Sequence, residues 1–264
     1  MNGADLPDPF AIVPVTPLEV GGRRELQVFG APAELLWLPR RKERPGAPIG
    51  RRPSFQRCRV DAIVASEAVW RRDGVALTGN KFPFSERHCV LWSEQPVREA
   101  PVALLEIGIA LEERHEATLL LNTTGAAASI ARAHVHLVGE RLPFLGALPR
   151  EPLVAEWLEP QPDVSIVRLV PPFPGIAVGL IGSPSARARA AHRLLLLRLA
   201  PAINVVSTDG VTWLFPHGER ETPAPHFPFA LGGAELWGRW CYPEREPFLR
   251  ASASDLEAAL RVTG

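Results

Sequence analysis

Apolar and polar positions along the chain fall into short blocks, and the clearest block is a hairpin. Leu119-Leu120-Leu121 is a continuous apolar run closed by Asn122, the pattern of a buried strand. Small residues from Thr123 to Ala128 carry the chain round, and it returns with His134 and His136 alternating with Val135, Leu137 and Val138. Side chains two apart on a strand share a face, so both imidazoles point one way while Val135 and Leu137 enter the core. The loop holds Gly125 and three alanines, leaving its backbone N–H groups open to an anion. The stretch Thr118 to Phe144 is the one the other elements are expected to serve.

The same reading predicts strands at Glu25–Phe29, Glu34–Leu38, Val60–Ala65, Val75–Leu77 and His88–Trp92. The bend Gly79-Asn80-Lys81-Phe82-Pro83-Phe84 precedes the last of these, because Pro83 bars a regular central strand there. Apolar spacing at Val102, Leu105, Ile109 and Leu111 predicts a helix over 99–114, with His115 at its negative end. Beyond Glu151 come strands at Val164–Val170 and Ile176–Ile181, separated by Pro171-Pro172-Phe173-Pro174-Gly175. Ser183 then N-caps a helix opened by Pro184 and running to about Leu199. Ile203–Ser207 and Val211–Phe215 flank Thr208-Asp209-Gly210, in which Asp-Gly accepts the positive φ of a tight hairpin. A loop over 216–228, a strand over Ala234–Cys241 and a terminal helix over Ser254–Val262, capped by Ser254 or Asp255, complete the chain. Both halves thus read as strands, a helix and further strands. The expected fold class is α+β, an antiparallel sheet with helices packed on one side, built twice: residues 1–150 carry His-x-His, and residues 151–264 form the second half.

Composition narrows the function classes. The 264 residues are 46% hydrophobic and 22% charged, and the formal net charge is zero. A whole-molecule field that would favour nucleic acid or an acidic membrane is therefore absent, and any pull on a phosphorylated ligand must be local. Almost every cation is arginine; the two lysines are Lys42 and Lys81. Three widely spaced cysteines, Cys58, Cys89 and Cys241, suggest neither a disulfide framework nor a structural zinc site. The opening MNGADLPDPF lacks the order of a secretory signal, and no apolar stretch reaches the length of a membrane span. The expected location is the cytoplasm.

Several conspicuous residues have ordinary explanations. Arg40-Arg41-Lys42-Glu43-Arg44, continued toward Arg51-Arg52-Pro53, reads first as a solvated charged loop and second as a contact for a polyphosphate. Trp37, Trp70, Trp157 and Trp237 read as core or interface aromatics, His192 as a solvated helix residue, and Cys58 and Cys89 as small buried apolar groups. His217 and His226 lie in or beside a loop with no carboxylate partner, a poor metal pair.

Three blocks in order carry a resemblance. Asn80-Lys81-Phe82-Pro83-Phe84 leads to a strand at His88; Asn122-x-x-Gly125-x-x-x-Ser129-Ile130 leads to His134-x-His136; and Ile203-Asn204-Val205-Val206 pairs with Trp213-Leu214-Phe215-Pro216. Together with Ala230-Leu231-Gly232-Gly233-Ala234 they make residues from about Arg51 to Tyr242 resemble the histidine-triad (HIT-like) superfamily. Within it the likeness is to the double-domain branch of galactose-1-phosphate uridylyltransferase, diadenosine tetraphosphate phosphorylase (ATP adenylyltransferase) and GDP-galactose phosphorylase.

The resemblance implies that His136 attacks the α-phosphorus of a nucleotide and carries a nucleotidyl group, with His134 shaping the phosphate pocket. It implies substrate contacts from Asn80, Lys81, Asn122, Gly125 and Ser129. The implied substrates are a dinucleoside polyphosphate or a nucleotide sugar, with inorganic phosphate, another phosphate ester or water as acceptor. The resemblance fixes no cofactor, a divalent metal is compatible, and an exposed sheet edge would allow a homodimer. The sequence departs from the pattern at Val138, where the family's transferases read Gln and its hydrolases His; valine cannot hydrogen-bond a phosphate oxygen. The alternatives are therefore a nucleotide-binding pseudoenzyme or sensor, and a hydrolase of the histidine-triad type that uses water as acceptor.

Overall fold

Ten strands pair edge to edge into one sheet whose midline is the contact between β6 (Thr118–Asn122) and β11 (Ala202–Thr208). The computed structural model describes residues 6–43, 59–154, 163–198, 200–218 and 222–263. Arg44, Arg51–Pro53, Cys58 and Trp157 lie outside the described residues. On one side of the midline the order is β6, β7 (His134–Val138), β5 (His88–Ser93), β4 (Val75–Gly79) and β3 (Trp70–Arg72). On the other it is β11, β12 (Val211–His217), β10 (Val178–Gly182), β9 (Val164–Leu169) and β8 (Arg150–Pro152). The two orders are the same topology read outward from the centre, and all neighbours are antiparallel. The expected division between residues 150 and 151 falls inside β8.

The helices that follow β5 and β10, α3 (Val102–Arg114) and α5 (Pro184–Leu196), lie against each other over one face of this sheet. Beneath them Leu91, Leu119, Leu121, Val135, Leu137, Val205 and Leu214 form a continuous buried layer. Each fully buried leucine there contributes roughly 1.5–3 kcal/mol. The helix must come close: a Cβ added at Gly108 would meet Leu119 Cδ1 at 2.5 Å. Ser183 caps α5, its Oγ accepting from the Ala186 N–H at 3.3 Å, and Asp209 (φ 51°) with Gly210 (φ 74°) makes the turn between β11 and β12. Leu6, Phe10 in α1 (Pro9–Ile12) and Val13 also pack on this face.

The second face is covered too, which the expectation of helices on one side did not anticipate. A small sheet of β1 (Gly22–Val28), β2 (Ala31–Trp37) and β13 (Arg239–Tyr242) lies over it, with β13 parallel to β2. α2 (Val60–Glu67), α4 (Phe144–Ala147) and α6 (Gly233–Leu236) fill the rest, and α7 (Arg245–Arg250) and α8 (Ala253–Thr263) back the small sheet.

Four elements differ from the sequence expectation. Residues 60–65 are helical, not extended: Val60 and Val64, four apart, are buried against Ala76, Val90 and Trp92 while Asp61 and Ala62 are exposed. The span 234–241 is a helical turn followed by a strand. The Glu235 carboxylate accepts the Gly232 N–H at 2.8 Å, and Gly238 at φ 102° ends the turn. Pro39–Glu43 is a 3-10 turn rather than an open loop. The last helix is capped by Ser252, whose Oγ accepts from the Asp255 N–H while Asp255 accepts the Ser252 N–H at 3.1 Å.

A buried ion cluster ties the two helices to the second half of the sheet. Arg187 and Glu112 are both fully buried and lie 3.3 Å apart, and both reach the Ser207 hydroxyl. Burial pushes the Glu112 carboxyl up to about 6, against the opposing pull of Arg187. Replacing Arg187 with methionine leaves that buried carboxylate with the Ser207 hydroxyl and the more distant Arg141, 3.9 Å away, so Arg187→Met is expected to lower stability by about 3 kcal/mol. Urea denaturation at pH 7 measures it; a loss below 1 kcal/mol would show the pair to be energetically idle.

Candidate active site

On β7 the alternation puts His134, His136 and Val138 on the second face. Register with β5 sets Trp92 opposite His134, Val90 opposite His136 and His88 opposite Val138. The bend after β4 then folds over these residues. Asn80 is the hinge of the arrangement: its Oδ1 accepts the Phe82 N–H at 2.8 Å, which fixes its amide nitrogen toward the imidazoles. That nitrogen lies 2.9 Å from His88 Nε2 and 3.3 Å from His136 Nδ1, and the two ring nitrogens are 3.1 Å apart.

This triangle constrains where protons sit. An amide nitrogen only donates, so at least one imidazole nitrogen must accept. If His88 Nε2 accepts from Asn80, it also accepts from His136 Nδ1–H, and His136 keeps a lone pair on Nε2. The reverse placement, His88 Nε2–H donating to His136 Nδ1, would put a proton on His136 Nε2 instead. The Phe84 N–H pointing at His88 Nδ1 favours the reverse, but at 3.4 Å it is the longest contact of the set. The first placement satisfies the shorter Asn80–His88 contact, and the reverse satisfies the longer Asn80–His136 and Phe84–His88 contacts.

His134 is held separately. Its Nδ1 donates to the Arg132 carbonyl at 2.8 Å, and its ring stacks on Trp92 with centroids 5.0 Å apart. Trp92 is anchored by Nε1–H to Thr78 Oγ1 at 2.8 Å. The His134 and His136 rings are 5.3 Å apart, edge to face. His136 is half-buried while His88 and His134 are buried, so the middle ring is the most open of the three. Phe84 closes one side, its ring 4.3 Å from His88 and 6.3 Å from His136.

Val138 is fully buried among Phe84, Leu120 and Phe144, so it forms part of the floor. Polar capacity lacking at 138 sits one strand across, at His88. Sequence reasoning marked His88 only as the start of a strand. Its partnership with His136 depends on the pairing of β5 with β7, between which α3 and β6 intervene; the alternation His88, Val90, Trp92 was its one local sign.

The other expected substrate residues are distributed around this core. Lys81 is exposed and paired with Glu67 Oε1 at 2.7 Å, at the end of α2. Gly125 takes φ 93° within the turn after β6, and Ser129 is half-buried farther along that loop. Asn122 is committed to the midline: its Oδ1 accepts from Asn204 Nδ2 at 2.7 Å and from the Gly233 N–H at 2.8 Å. Asn204 Nδ2 also donates to the Ala126 carbonyl, so its Oδ1 faces His217 Nε2 at 2.9 Å. His217 Nδ1 faces the Gly218 carbonyl at 2.6 Å; with an acceptor at each nitrogen, the ring satisfies both contacts only by donating from both. The structure therefore brings Asn80, His134 and His136 together with His88, sets Lys81 at the rim, and joins Asn122 and the Gly125 turn to the second half.

Among the described residues no group of three or more His, Cys, Asp or Glu side chains is arranged to hold a metal ion. No described helix is long and apolar enough to cross a membrane. Cys89 and Cys241 are buried, and burial raises both thiols, Cys241 to about 11, well away from nucleophilic duty.

No protein-family model matches the sequence, and no curated protein matches it. Solved structures do match its fold. Yeast Ap4A phosphorylase Apa2 superposes with a TM-score of 0.64 at 15% identity, over 97% of this chain and 92% of that one. Its complex with Ap4A gives 0.64 at 13% identity, over 97% and 95%. Its complex with AMP gives 0.64 at 17%, over 97% and 94%. The chain has the α+β, HIT-like fold of that enzyme, as the three sequence blocks led one to expect.

The proton placement is directly measurable. Nitrogen-15 shifts of the imidazole rings should report His136 as the Nδ1–H tautomer, and Asn80→Ala should erode that preference. An Nε2–H tautomer for His136 would overturn the assignment.

Proposed function

We propose that the protein is a nucleotidyltransferase of the phosphorylase kind, acting on a dinucleoside polyphosphate or a nucleotide sugar through a nucleotidyl group carried on His136. The observation that carries this reading is the Asn80–His88–His136 triangle, which engages the most open of the three rings through its Nδ1 and leaves Nε2 outside the triangle. The shared fold with a phosphorylase supports the substrate class.

In the first step His136 Nε2 attacks the α-phosphorus, a P–N bond forms, and the P–O bond to the remaining phosphate chain or sugar phosphate breaks. The leaving group departs as its anion. His136 Nδ1–H, held by His88, keeps the ring oriented and shares the positive charge that develops on it, the positioning role a third group serves behind a nucleophile. In the second step an oxygen of inorganic phosphate attacks the same phosphorus, the P–N bond breaks, and a nucleoside diphosphate is released. Water in place of phosphate would give the monophosphate.

His134, Asn80, Lys81 and the Asn122–Ser129 segment are the proposed contacts for the phosphates and nucleoside. Fixed donors of this kind contribute most where charge spreads over non-bridging oxygens. Residues 1–150 supply the reacting group in this reading and residues 151–264 complete the pocket; the bonds from Asn204 and Gly233 to Asn122 support that division of roles. Val138 favours a second reading, a nucleotide-binding protein without turnover, because the floor at that position offers no hydrogen bond.

A panel of dinucleoside polyphosphates and nucleotide sugars, assayed with and without phosphate, separates these readings. Phosphate-dependent release of a nucleoside diphosphate, together with an acid-labile label on His136, is the expected result. His136→Ala should reduce turnover by about three orders of magnitude or more. Binding without any turnover of the panel would support the second reading, and full activity in His136→Ala would end the first.

A further inference from the structure

Three side chains cross the midline of the sheet in one directed run: His217 at the end of β12, Asn204 on β11 and Asn122 at the end of β6. His217 Nε2 lies 2.9 Å from Asn204 Oδ1, and Asn204 Nδ2 donates to Asn122 Oδ1 at 2.7 Å. From this geometry we infer that His217 and Asn204 are positioning residues, which hold the Asn122 amide with its nitrogen toward the site as a donor for a phosphate oxygen. This role rests on the nucleotidyl-transfer reading above and deepens it, by giving two residues of the second half a part in orienting the first half's phosphate contact.

Backbone groups fix the direction of the run. The Ala126 carbonyl only accepts, and it lies 2.9 Å from the Asn204 amide, so the atom facing it is the nitrogen. The Gly233 N–H only donates, and it lies 2.8 Å from the Asn122 amide, so the atom facing it is the oxygen. The oxygen of Asn204 is then the atom turned to His217, and it requires a proton on His217 Nε2. Turning the Asn122 amide over would set its nitrogen against two donors, Asn204 Nδ2 and the Gly233 N–H. Turning Asn204 over would set its oxygen against the Ala126 carbonyl and Asn122 Oδ1. Asn204 is fully buried and His217 is buried, so water does not relieve a wrong orientation.

Placement gives the run its use. Asn204 and Asn122 are opposed across β11 and β6, and Leu120, two residues before Asn122 on the same face, is opposite His136. Asn122 thus stands one strand from the reacting ring, on the face that carries it. Its oxygen accepts twice, so both of its N–H groups lie on the other side of the amide, and the residue is half-buried where Asn204 is sealed. Gly232 keeps that nitrogen uncovered, because a Cβ there would stand 3.3 Å from Asn122 Nδ2. Thr123 Oγ1 accepts the Ile203 N–H at 2.8 Å and anchors the start of the same turn to β11. With the backbone held, the rotation of the amide is what His217 and Asn204 decide: the nitrogen donates to an anion, and the oxygen in its place would repel one.

The run is tested first without ligand. Nitrogen-15 shifts of the imidazoles should show a proton on His217 Nε2; a bare Nε2 would overturn the assignment and leave transfer through His136 standing. AMP binding is then measured by calorimetry for the parent, Asn122→Ala, His217→Leu, His217→Gln and the double variant Asn122→Ala with His217→Leu. His217→Leu should weaken AMP binding about fivefold, and His217→Gln, whose amide still donates, should return it to within about twofold of the parent. In the Asn122→Ala background His217→Leu should change affinity by less than about twofold, since the group it orients is gone. Equal losses in both backgrounds at an unchanged melting temperature are the mark of a mere buttress and would overturn the assignment. Should His217→Leu not fold, Asn204→Ala takes its place in the same cycle with the same two outcomes. Absence of AMP binding in the parent would instead overturn the nucleotidyl-transfer reading on which the role stands.

Discussion

The structure turns on the pairing of β6 with β11. That contact converts two five-stranded sheets of equal topology into one sheet, and it puts Asn122 opposite Asn204 at the end where the loop after β6 begins. Antiparallel hydrogen bonds along Leu119 to Asn122 hold the midline rigid, and α3 against α5 closes the same joint from behind. The amide pair then links that joint to the Gly232–Gly233 backbone. The turn after β6 is thereby held by groups from both sides of the midline, through Asn204 to the Asn122 side chain and the Ala126 carbonyl and through the Gly233 N–H to Asn122.

At the imidazole cluster two local features share the work. Strand alternation delivers His134 and His136 to one face, and the bend that Pro83 imposes brings Asn80 down upon them. Neither suffices alone. Without β5 against β7 there would be no His88 behind His136, and Arg239 adds a further anchor at the end of the bend. That guanidinium is almost fully buried, donates to the Phe84 carbonyl at 3.0 Å, and is balanced by Glu140 and Glu34. Hydrogen bonding to Glu140 offsets the cost of burying it and holds Arg239 above its ordinary range, while Glu140 is held below its own. The small sheet is in this way fastened to the site it covers.

Most of what was legible in the sequence is local in physical origin. The histidine hairpin, the Asp209-Gly210 turn, the Ser183-Pro184 helix start and the bend at Pro83 each depend on residues within a few positions of one another. What was not legible depends on distant partners. Val60–Ala65 carries β-branched residues and reads as a strand until Ala76, Val90 and Trp92 supply a surface for Val60 and Val64. The parallel joining of β13 to β2 connects segments some two hundred residues apart. His88 belongs with these: its neighbours in the chain mark it as ordinary, and only strand order makes it a companion of His136.

The repeated topology has a final consequence. β12 is the counterpart of β7, yet the side chains it turns to the same face include Trp213 and Phe215, which join the hydrocarbon beneath the small sheet. Repetition of the strand order is not repetition of its lining: one copy sets imidazoles on that face and the other sets hydrocarbon. The sheet is consequently lopsided about its midline, with imidazoles on one flank and buried aromatic rings on the other.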